Sequence, residues 1–358
     1  MSSDSSSNKT WNWGVYGTGR ITHDFLGAIQ SVTNARVLAI CGTDFEHTKK
    51  FASEHGVARV YGKLAELLDD SEIDFLYIST IHSRHKRVLL DSIPSKKHIL
   101  CEKPLTCNAS ETREVVEAAR KHGCFLMEAL WSRYFPIVLQ VRGLLLDSVI
   151  GDVQVVSANM SVESELLHPM ANKKGPDHSA LLDLGIYPIS FAAMVFGYEQ
   201  KPSLVKAFGF LSEDDSYDVS TFVHLEYPNG GQAFLSYSST YPVSSDLLVI
   251  QGSKGTITIP GAFWCPTSYS VCLKDGTRYK RGAETDRDME LPNVKGHTFN
   301  YTNSQGLAYE IAYAQHLVET GRLESDQEPL DETIAISEIM TEVSRQLGLN
   351  FTSEDRST

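Results

Sequence analysis

Trp13-Gly-Val-Tyr-Gly-Thr-Gly-Arg-Ile-Thr22 is the stretch on which the fold turns. Its first part, Trp13 to Tyr16, reads as a short buried strand. Gly17-Thr-Gly19 follows at once, and the chain from Arg20 to about Ser31 carries helical apolar spacing. A strand that ends in G-x-G and runs straight into a helix fits the first turn of a dinucleotide-binding βαβ unit. Gly17 permits the tight turn, and Gly19 lets the backbone approach a pyrophosphate resting on the positive helix N-terminus. A plain strand-to-helix turn would use the same glycines, so the surroundings must decide. Thr22 stands where a third Gly or Ala is usual, and is still small.

Outward from this turn, strands and helices alternate. Ala35 to Cys41, Asp74 to Ser79, His98 to Cys101 and Cys124 to Glu128 read as strands. His47 to His55, Arg84 to Ile93 and Ser110 to His122 read as helices, the last with Ser110 as N-cap and Gly123 as its stop. Such alternation predicts an α/β fold, a doubly wound parallel sheet with helices on both faces. After about residue 130 the rhythm changes. Strands are expected at Gln154 to Glu163, Leu204 to Leu211, Val219 to Tyr227, Gln232 to Tyr241, Leu247 to Gln251, Thr256 to Ile259 and Tyr269 to Lys274. Helices are expected at Pro136 to Ser148, Ser179 to Val195, Leu307 to Gly321 and Asp331 to Leu347. This half predicts an α+β domain with a large, mostly antiparallel sheet and helices on one face. The expected division is a disordered tail over 1–10, a dinucleotide-binding domain over 11–130, and a substrate-binding and dimerisation domain over 131–358.

Composition agrees with two domains and excludes several function classes. The chain has 358 residues, and domains average about 150. Hydrophobic residues at 42% and charged ones at 22% are globular rather than disordered proportions. No run approaches the roughly 18 apolar residues that span a bilayer, so no membrane partner is expected. A net charge of −13 argues against nucleic acid or an anionic membrane as partner. The six cysteines form no C-x-x-C pair and no disulfide scaffold, which points to a reducing, cytoplasmic location. The opening MSSDSSSNKT has neither the basic nor the apolar region of a secretory signal.

Three further segments carry chemistry. At the end of the second strand, Cys41-Gly-Thr-Asp44, an acid would bond the adenosine ribose and an Arg would welcome a 2′-phosphate. Gly42 and Thr43 do neither, and Asp44 falls one or two residues late. Cys101-Glu-Lys-Pro104 puts Glu102 and Lys103 just after a buried strand, at the ligand-binding end of such sheets, where an exposed loop ion pair would look the same. In Leu181-Leu-Asp-Leu-Gly-Ile-Tyr-Pro188, Asp183 and Tyr187 are four apart and would share one helix face. They read as a proton-transfer pair, or as a core Tyr with a satisfied hydroxyl. His82 and His85, with His168 and His178, lack the Glu of a zinc-protease pattern, so no metal is expected.

Together, Gly17-Thr-Gly-Arg-Ile21, Thr80-Ile-His-Ser-Arg-His85, Glu102-Lys-Pro104 and Leu182-Asp-Leu-Gly-Ile-Tyr-Pro188 resemble the glucose–fructose oxidoreductase/inositol dehydrogenase/MocA family of nicotinamide-dependent oxidoreductases. Within it, Glu128-Ala-Leu-Trp-Ser-Arg-Tyr-Phe-Pro136, the Tyr form of the last motif and the stretch from Gly306 to Gly348 are similar to the dimeric dihydrodiol dehydrogenase and D-xylose dehydrogenase branch. The resemblance implies an N-terminal Rossmann domain, a C-terminal α+β domain with an open sheet, and a homodimer that buries that sheet. It implies Lys103, Tyr187 and Asp183 as catalytic residues. It places Gly17, Thr18, Gly19, Arg20, Ile21, Gly42, Thr43, Asp44, Thr80, His82, His85, Glu102 and Lys103 around the cofactor. Trp131, Arg133 and His178 would meet the substrate together with Lys103, Asp183 and Tyr187.

The reaction so implied is oxidation of a hydroxyl in a sugar, polyol or trans-dihydrodiol, or the reverse reduction, with a modest preference for NADP over NAD. A dinucleotide-binding transcriptional regulator without turnover, or an NAD-assisted glycosidase, are the competing readings. A phenol near pH 10 is a poor base at neutral pH unless a cation stabilises phenolate, and Lys103 is the candidate cation. Ile81 replaces the family's Pro. Lys174-Gly-Pro-Asp-His-Ser-Ala180 replaces a Gly-rich run, which should bring Asp177 and His178 side chains toward the substrate.

Overall fold

Strands of the first third are apolar on both faces, as a sheet covered by helices on both sides requires. All four residues of Phe75–Ile78 are buried, and so are all four of Leu126–Ala129. The computed structural model describes residues 9–163, 175–240, 246–284 and 287–353. The expectations for residues 1–8, His168, Lys174 and the strand end at Tyr241 fall outside the described residues. Strands β1 (Trp11–Tyr16), β2 (Ala35–Cys41), β3 (Arg59–Tyr61), β4 (Phe75–Ile78), β5 (His98–Glu102) and β6 (Leu126–Ala129) form a parallel sheet in the order 3-2-1-4-5-6. Helices α1 (Arg20–Ala28), α2 (Phe45–Glu54), α3 (Leu64–Asp69), α4 (His82–Ser92) and α5 (Ala109–His122) connect them. The strand order reverses between β1 and β4, the kind of crevice in which open α/β sheets bind ligands.

Two details differ from the sequence expectation. β3 and α3 were not expected, because three and six residues are too short to show a period. The N-cap of α5 is Asn108, not Ser110. The Asn108 side chain accepts the Glu111 N–H at 3.0 Å and its Nδ2 donates to Phe351 O at 2.9 Å. Docking of the C-terminal segment therefore selects between two residues that are both good caps.

The second half builds a sheet from β7 (Val153–Ser161), β8 (Leu204–Leu211), β9 (Asp218–Glu226), β10 (Gln232–Ser238), β11 (Leu247–Gly252), β12 (Gly255–Pro260), β13 (Ser268–Leu273) and β14 (Arg278–Gly282). Their order is 14-13-12-11-7-10-9-8, antiparallel throughout except between β7 and β10. β14, Arg-Tyr-Lys-Arg-Gly, is a charged edge strand without apolar alternation, so sequence patterning missed it. Along β10, Ala233, Leu235 and Tyr237 point to the core while Phe234 points out. Helix α6 (Pro136–Leu146) precedes the sheet. Helix α7 (Ile186–Phe196), apolar on nearly every side, packs on β7 and β10 of its inner face. Helices α8 (Leu307–Glu319) and α9 (Leu330–Gln346) end the fold. α8 packs against α1, and α9 against α5, where Thr112 Oγ1 meets Ser337 Oγ at 3.0 Å.

Candidate active site

The crevice between β1 and β4 opens into a cleft of about 440 Å³. Gly17 has φ +133°, and a Cβ there would lie 2.4 Å from Ser79 O at the end of β4. Only glycine fits this crossing of two strand ends. Gly19 caps α1 without a side-chain hydrogen bond, and a Cβ there would meet nothing within 4 Å. Thr18, Gly19 and the first helical residues Arg20 and Ile21 line the cleft, and the first turn of α1 carries no acid. This is a cradle for an anion at a helix N-terminus, and it fits a dinucleotide pyrophosphate.

Beyond the cradle the cleft runs past the end of β5 to the segment that enters α7. Leu181–Gly185 is a π-turn rather than the regular α-helix expected from the Asp183/Tyr187 spacing. Lys103 Nζ donates to Asp183 O within this turn at 2.9 Å, and lies 3.7 Å from Asp183 Oδ1. His82, at the start of α4, brings Nε2 to 3.3 Å from the same carboxylate oxygen. Burial pushes the His82 imidazole below its usual range. Tyr187 turns its hydroxyl to Trp131, whose Nε1–H donates to it at 2.8 Å.

The Lys103 ammonium sits over the Tyr187 ring, 5.4 Å from its centroid. Burial holds the phenol well above its ordinary value. The expected lowering of that phenol by Lys103 is therefore absent: the cation faces the ring, not the oxygen. Glu102 lines the cleft and accepts the Tyr77 hydroxyl at 2.6 Å, and burial raises its carboxyl. Asp177 also lines the cleft, its carboxylate accepting the Ser83 N–H at 3.0 Å and the Ser83 hydroxyl at 2.9 Å. This contact fastens the altered loop to the start of α4.

Of the residues expected at the site, Thr18, Gly19, Arg20, Ile21, Thr80, His82, Glu102, Lys103, Trp131, Asp183 and Tyr187 line the cleft together. Gly17 supports its floor. Others sit elsewhere. Arg133 is buried against Glu332 and donates to Ser190 O at 2.8 Å. On the 3₁₀ turn Trp131–Tyr134, residues two apart point in different directions, so Arg133 cannot follow Trp131 into the cleft. His85 is buried with Nδ1 2.9 Å from Pro104 O, and burial pushes it down to about 4. His178 packs its ring near Tyr217, at 5.6 Å between centroids, and not among the lining residues. Gly42 packs on Thr48, Thr43 is exposed, and the Asp44 carboxylate caps α2 by accepting the His47 N–H at 3.0 Å. The α2 residue that does line the cleft is His47, and Met160, Trp264, Tyr301, Thr302 and Leu307 line it as well. Sequence reasoning missed them because they come from five separate places with no shared motif. Only His47 carried a usable signal, being in the first helical turn after β2.

Comparison with known proteins bears on the family and the fold. Residues 11–130 match the family described as "Oxidoreductase family, NAD-binding Rossmann fold", and residues 138–258 match "GFO/IDH/MocA C-terminal domain". The chain is 36% identical over 341 residues to trans-1,2-dihydrobenzene-1,2-diol dehydrogenase of Xenopus tropicalis, covering 95% of this chain and 98% of that one. It is 33% identical over 348 residues to the enzyme of the same name from Homo sapiens, covering 96% and 99%. Among solved structures, a 3-ketoreductase from Actinomadura kijaniata in complex with NADP and TDP-benzene superposes with TM-score 0.77 at 21% identity, covering 94% and 98%. A levoglucosan dehydrogenase in complex with NADH and levoglucosan gives TM-score 0.80 at 16% identity, covering 94% and 97%. Those two likenesses are of fold. No helix among the described residues is long and apolar enough to cross a membrane. With a glycine turn at the head of a parallel sheet and a cleft lined by Lys103 and Tyr187 in one chain, and with relatives of this identity over nearly its whole length, the protein is a member of the GFO/IDH/MocA family of oxidoreductases, with a Rossmann domain of the NAD-binding type.

Proposed function

We propose that this protein interconverts a secondary alcohol and a ketone on a sugar, polyol or trans-dihydrodiol, using NADP(H) or NAD(H). The observation that carries the reading is Lys103, Asp183 and Tyr187 facing one cleft whose other end is the Gly17–Gly19 cradle. A nicotinamide dinucleotide held at Gly17, Gly19 and the ends of β4 and β5 would supply the hydride acceptor or donor. The protein supplies the proton and the charge. Trp131 donates to the Tyr187 oxygen, so the phenol's own proton is free to point toward a reacting oxygen in the cleft. Burial keeps Tyr187 neutral, which suits a general acid delivering a proton to a carbonyl oxygen. In the oxidative direction Tyr187 must first release its own proton to solvent, and the resulting phenolate would take the alcohol's proton, with the Lys103 ammonium over the ring as the cation that offsets its charge. Asp183 holds Lys103 through its backbone carbonyl and so positions the ammonium.

The cofactor end favours a modest preference for NADP(H). Asp44 caps α2 and is not among the residues that line the cleft, while Arg20 and His47 line that end. An anionic 2′-phosphate meets no carboxylate there. A homodimer is part of the same proposal. The outer face of β8, β9 and β10 exposes Phe208, Phe210, Phe222 and Phe234, with Phe208 and Phe222 stacked at 5.3 Å. An apolar cluster of this kind calls for a cover. We place the chain in the cytoplasm, since its cysteines are all free thiols. The test is absorbance of the reduced cofactor with a panel of aldoses, polyols and trans-dihydrodiols, run with NADP and with NAD. Turnover on at least one CH–OH substrate with higher kcat/KM for NADP is expected. Absence of turnover across the panel with tight dinucleotide binding would favour a sensor instead.

A further inference from the structure

Three histidines from distant parts of the chain converge beside α1. His23 lies on α1, His55 follows α2, and His297 belongs to the segment that leads to Tyr301 and Thr302 of the cleft. We propose that His23, His55 and His297 form a binding site for a zinc-class divalent metal ion. His23 Nδ1 and His55 Nε2 are 3.1 Å apart. Ring centroids are separated by 4.8 Å for His23–His55, 4.3 Å for His23–His297 and 6.1 Å for His55–His297. Imidazoles around one tetrahedral ion, with metal–nitrogen bonds of about 2.0–2.1 Å, have coordinating nitrogens about 3.3 Å apart and centroids about 5 Å apart. The His23–His55 nitrogens match that spacing, the His55–His297 centroids are wider than it, and the ligand atoms of His23, Asp24 and His297 all lie within 4.8 Å of one another.

The tautomer is also suitable. His23 Nε2–H donates to Thr298 O at 2.8 Å, which leaves the Nδ1 lone pair facing His55. Metal-binding histidines almost always anchor their second nitrogen in this way, often on a backbone carbonyl. His297 Nε2 is shielded from solvent and has no hydrogen-bond partner among the described residues. Gly27 makes room for that ring, since a Cβ there would lie 2.5 Å from His297 Nε2. Asp24 brings a carboxylate within 4.8 Å of the ligand atoms of His23 and His297. It is already committed, accepting from Asn300 N, Asn300 Nδ2, Tyr301 N and the Ser304 hydroxyl. Asp24 therefore fixes the segment that carries His297 and offers the cluster a carboxylate. All three imidazoles are half-buried, so solvent can complete the coordination shell. Imidazole donors suit zinc, copper and nickel rather than magnesium or calcium.

A bound ion would pin α1, whose first turn is the nucleotide cradle, to the segment that delivers Tyr301 and Thr302 to the cleft. The proposal does not depend on the reaction assigned above, because metal binding is read without cofactor or substrate. The experiment titrates the full chain, dialysed against EDTA, with zinc chloride in a calorimeter, and with cobalt(II) in a spectrophotometer. One equivalent of zinc, intense visible bands of tetrahedral cobalt, and a raised thermal midpoint are expected. His55→Ala and His297→Ala should each weaken zinc binding by roughly tenfold or more. His316→Ala, on the exposed side of α8, should leave it unchanged. Circular dichroism in EDTA separates loss of the site from loss of the fold, and His55→Gln replaces any variant that does not fold. Substoichiometric zinc, or binding indifferent to both His55→Ala and His297→Ala, would overturn the proposal.

Discussion

At the scale of single residues, the proposed reaction assigns the cleft a neutral acid, Tyr187, and a fixed cation, Lys103. Tyr187 has one hydrogen bond that uses its oxygen and leaves its proton. Lys103 has its ammonium anchored on Asp183 O. Tyr187→Phe removes the proposed proton carrier and little volume. Turnover should fall by about 10²–10⁴, the usual worth of general acid–base help, while reduced-cofactor affinity read by fluorescence stays within a few-fold. Lys103→Met should cost a similar order, and the double variant barely more than either, because groups acting as a unit are not additive. If Tyr187→Phe keeps most of its turnover, the proton is carried by another group. His82, 3.3 Å from the Asp183 carboxylate, would be the nearest substitute.

At the scale of elements, caps and buried carboxyls set local stability. Asn108 both caps α5 and holds Phe351 O, so Asn108→Ala should lower the unfolding free energy by about 1 kcal/mol, with a range of roughly 0.5–2. Urea denaturation at pH 7 reads this directly. Ser110→Ala should cost far less, because Ser110 lies inside the helix. On β6, burial pushes the Glu128 carboxyl up from 4.5 to about 7. The folded state then keeps a proton that the unfolded chain has already released. Its contribution is full below pH 4.5 and is lost as pH rises toward 7. Glu128→Gln keeps an acceptor for the Leu105 N–H, which is 2.7 Å from Glu128 Oε1 in the native protein. The urea midpoint of Glu128→Gln should fall less between pH 5 and pH 8 than that of the native protein.

At the scale of the whole molecule, the second sheet is covered on one face by α7 and bare on part of the other. Phe208 and Phe210 are 69% and 66% exposed at its β8 edge. The pair Phe208→Lys and Phe222→Lys should convert a dimer to a monomer in sedimentation equilibrium, with far-ultraviolet circular dichroism unchanged. A wild-type protein that sediments as a monomer would leave the apolar face unexplained by self-association.

The parallel sheet, its glycine turn and the antiparallel second half were legible from periodicity, because strand and helix periods and turn residues are local properties of the chain. Glu102-Lys103 and Asp183–Tyr187 were legible for the same reason: each motif is contiguous and sits at the end of an element. What each side chain faces was not local. Arg133 was expected beside Trp131 at the substrate, yet it turns inward to Glu332, 199 residues away. Asn108 displaces Ser110 as a cap because Phe351 docks on it. Asp44 caps its own helix, and His47 reaches the cleft instead. A π-turn at Leu181–Gly185 replaces the regular helix expected through Asp183 and Tyr187, and Lys103, 80 residues away in the chain, donates to the Asp183 carbonyl. Neither the three-histidine cluster nor the Tyr301 wall of the cleft has any signature in spacing. Both exist only because packing brings α1 against the segment that precedes α8, a contact decided by burial across the whole chain rather than by any stretch of it.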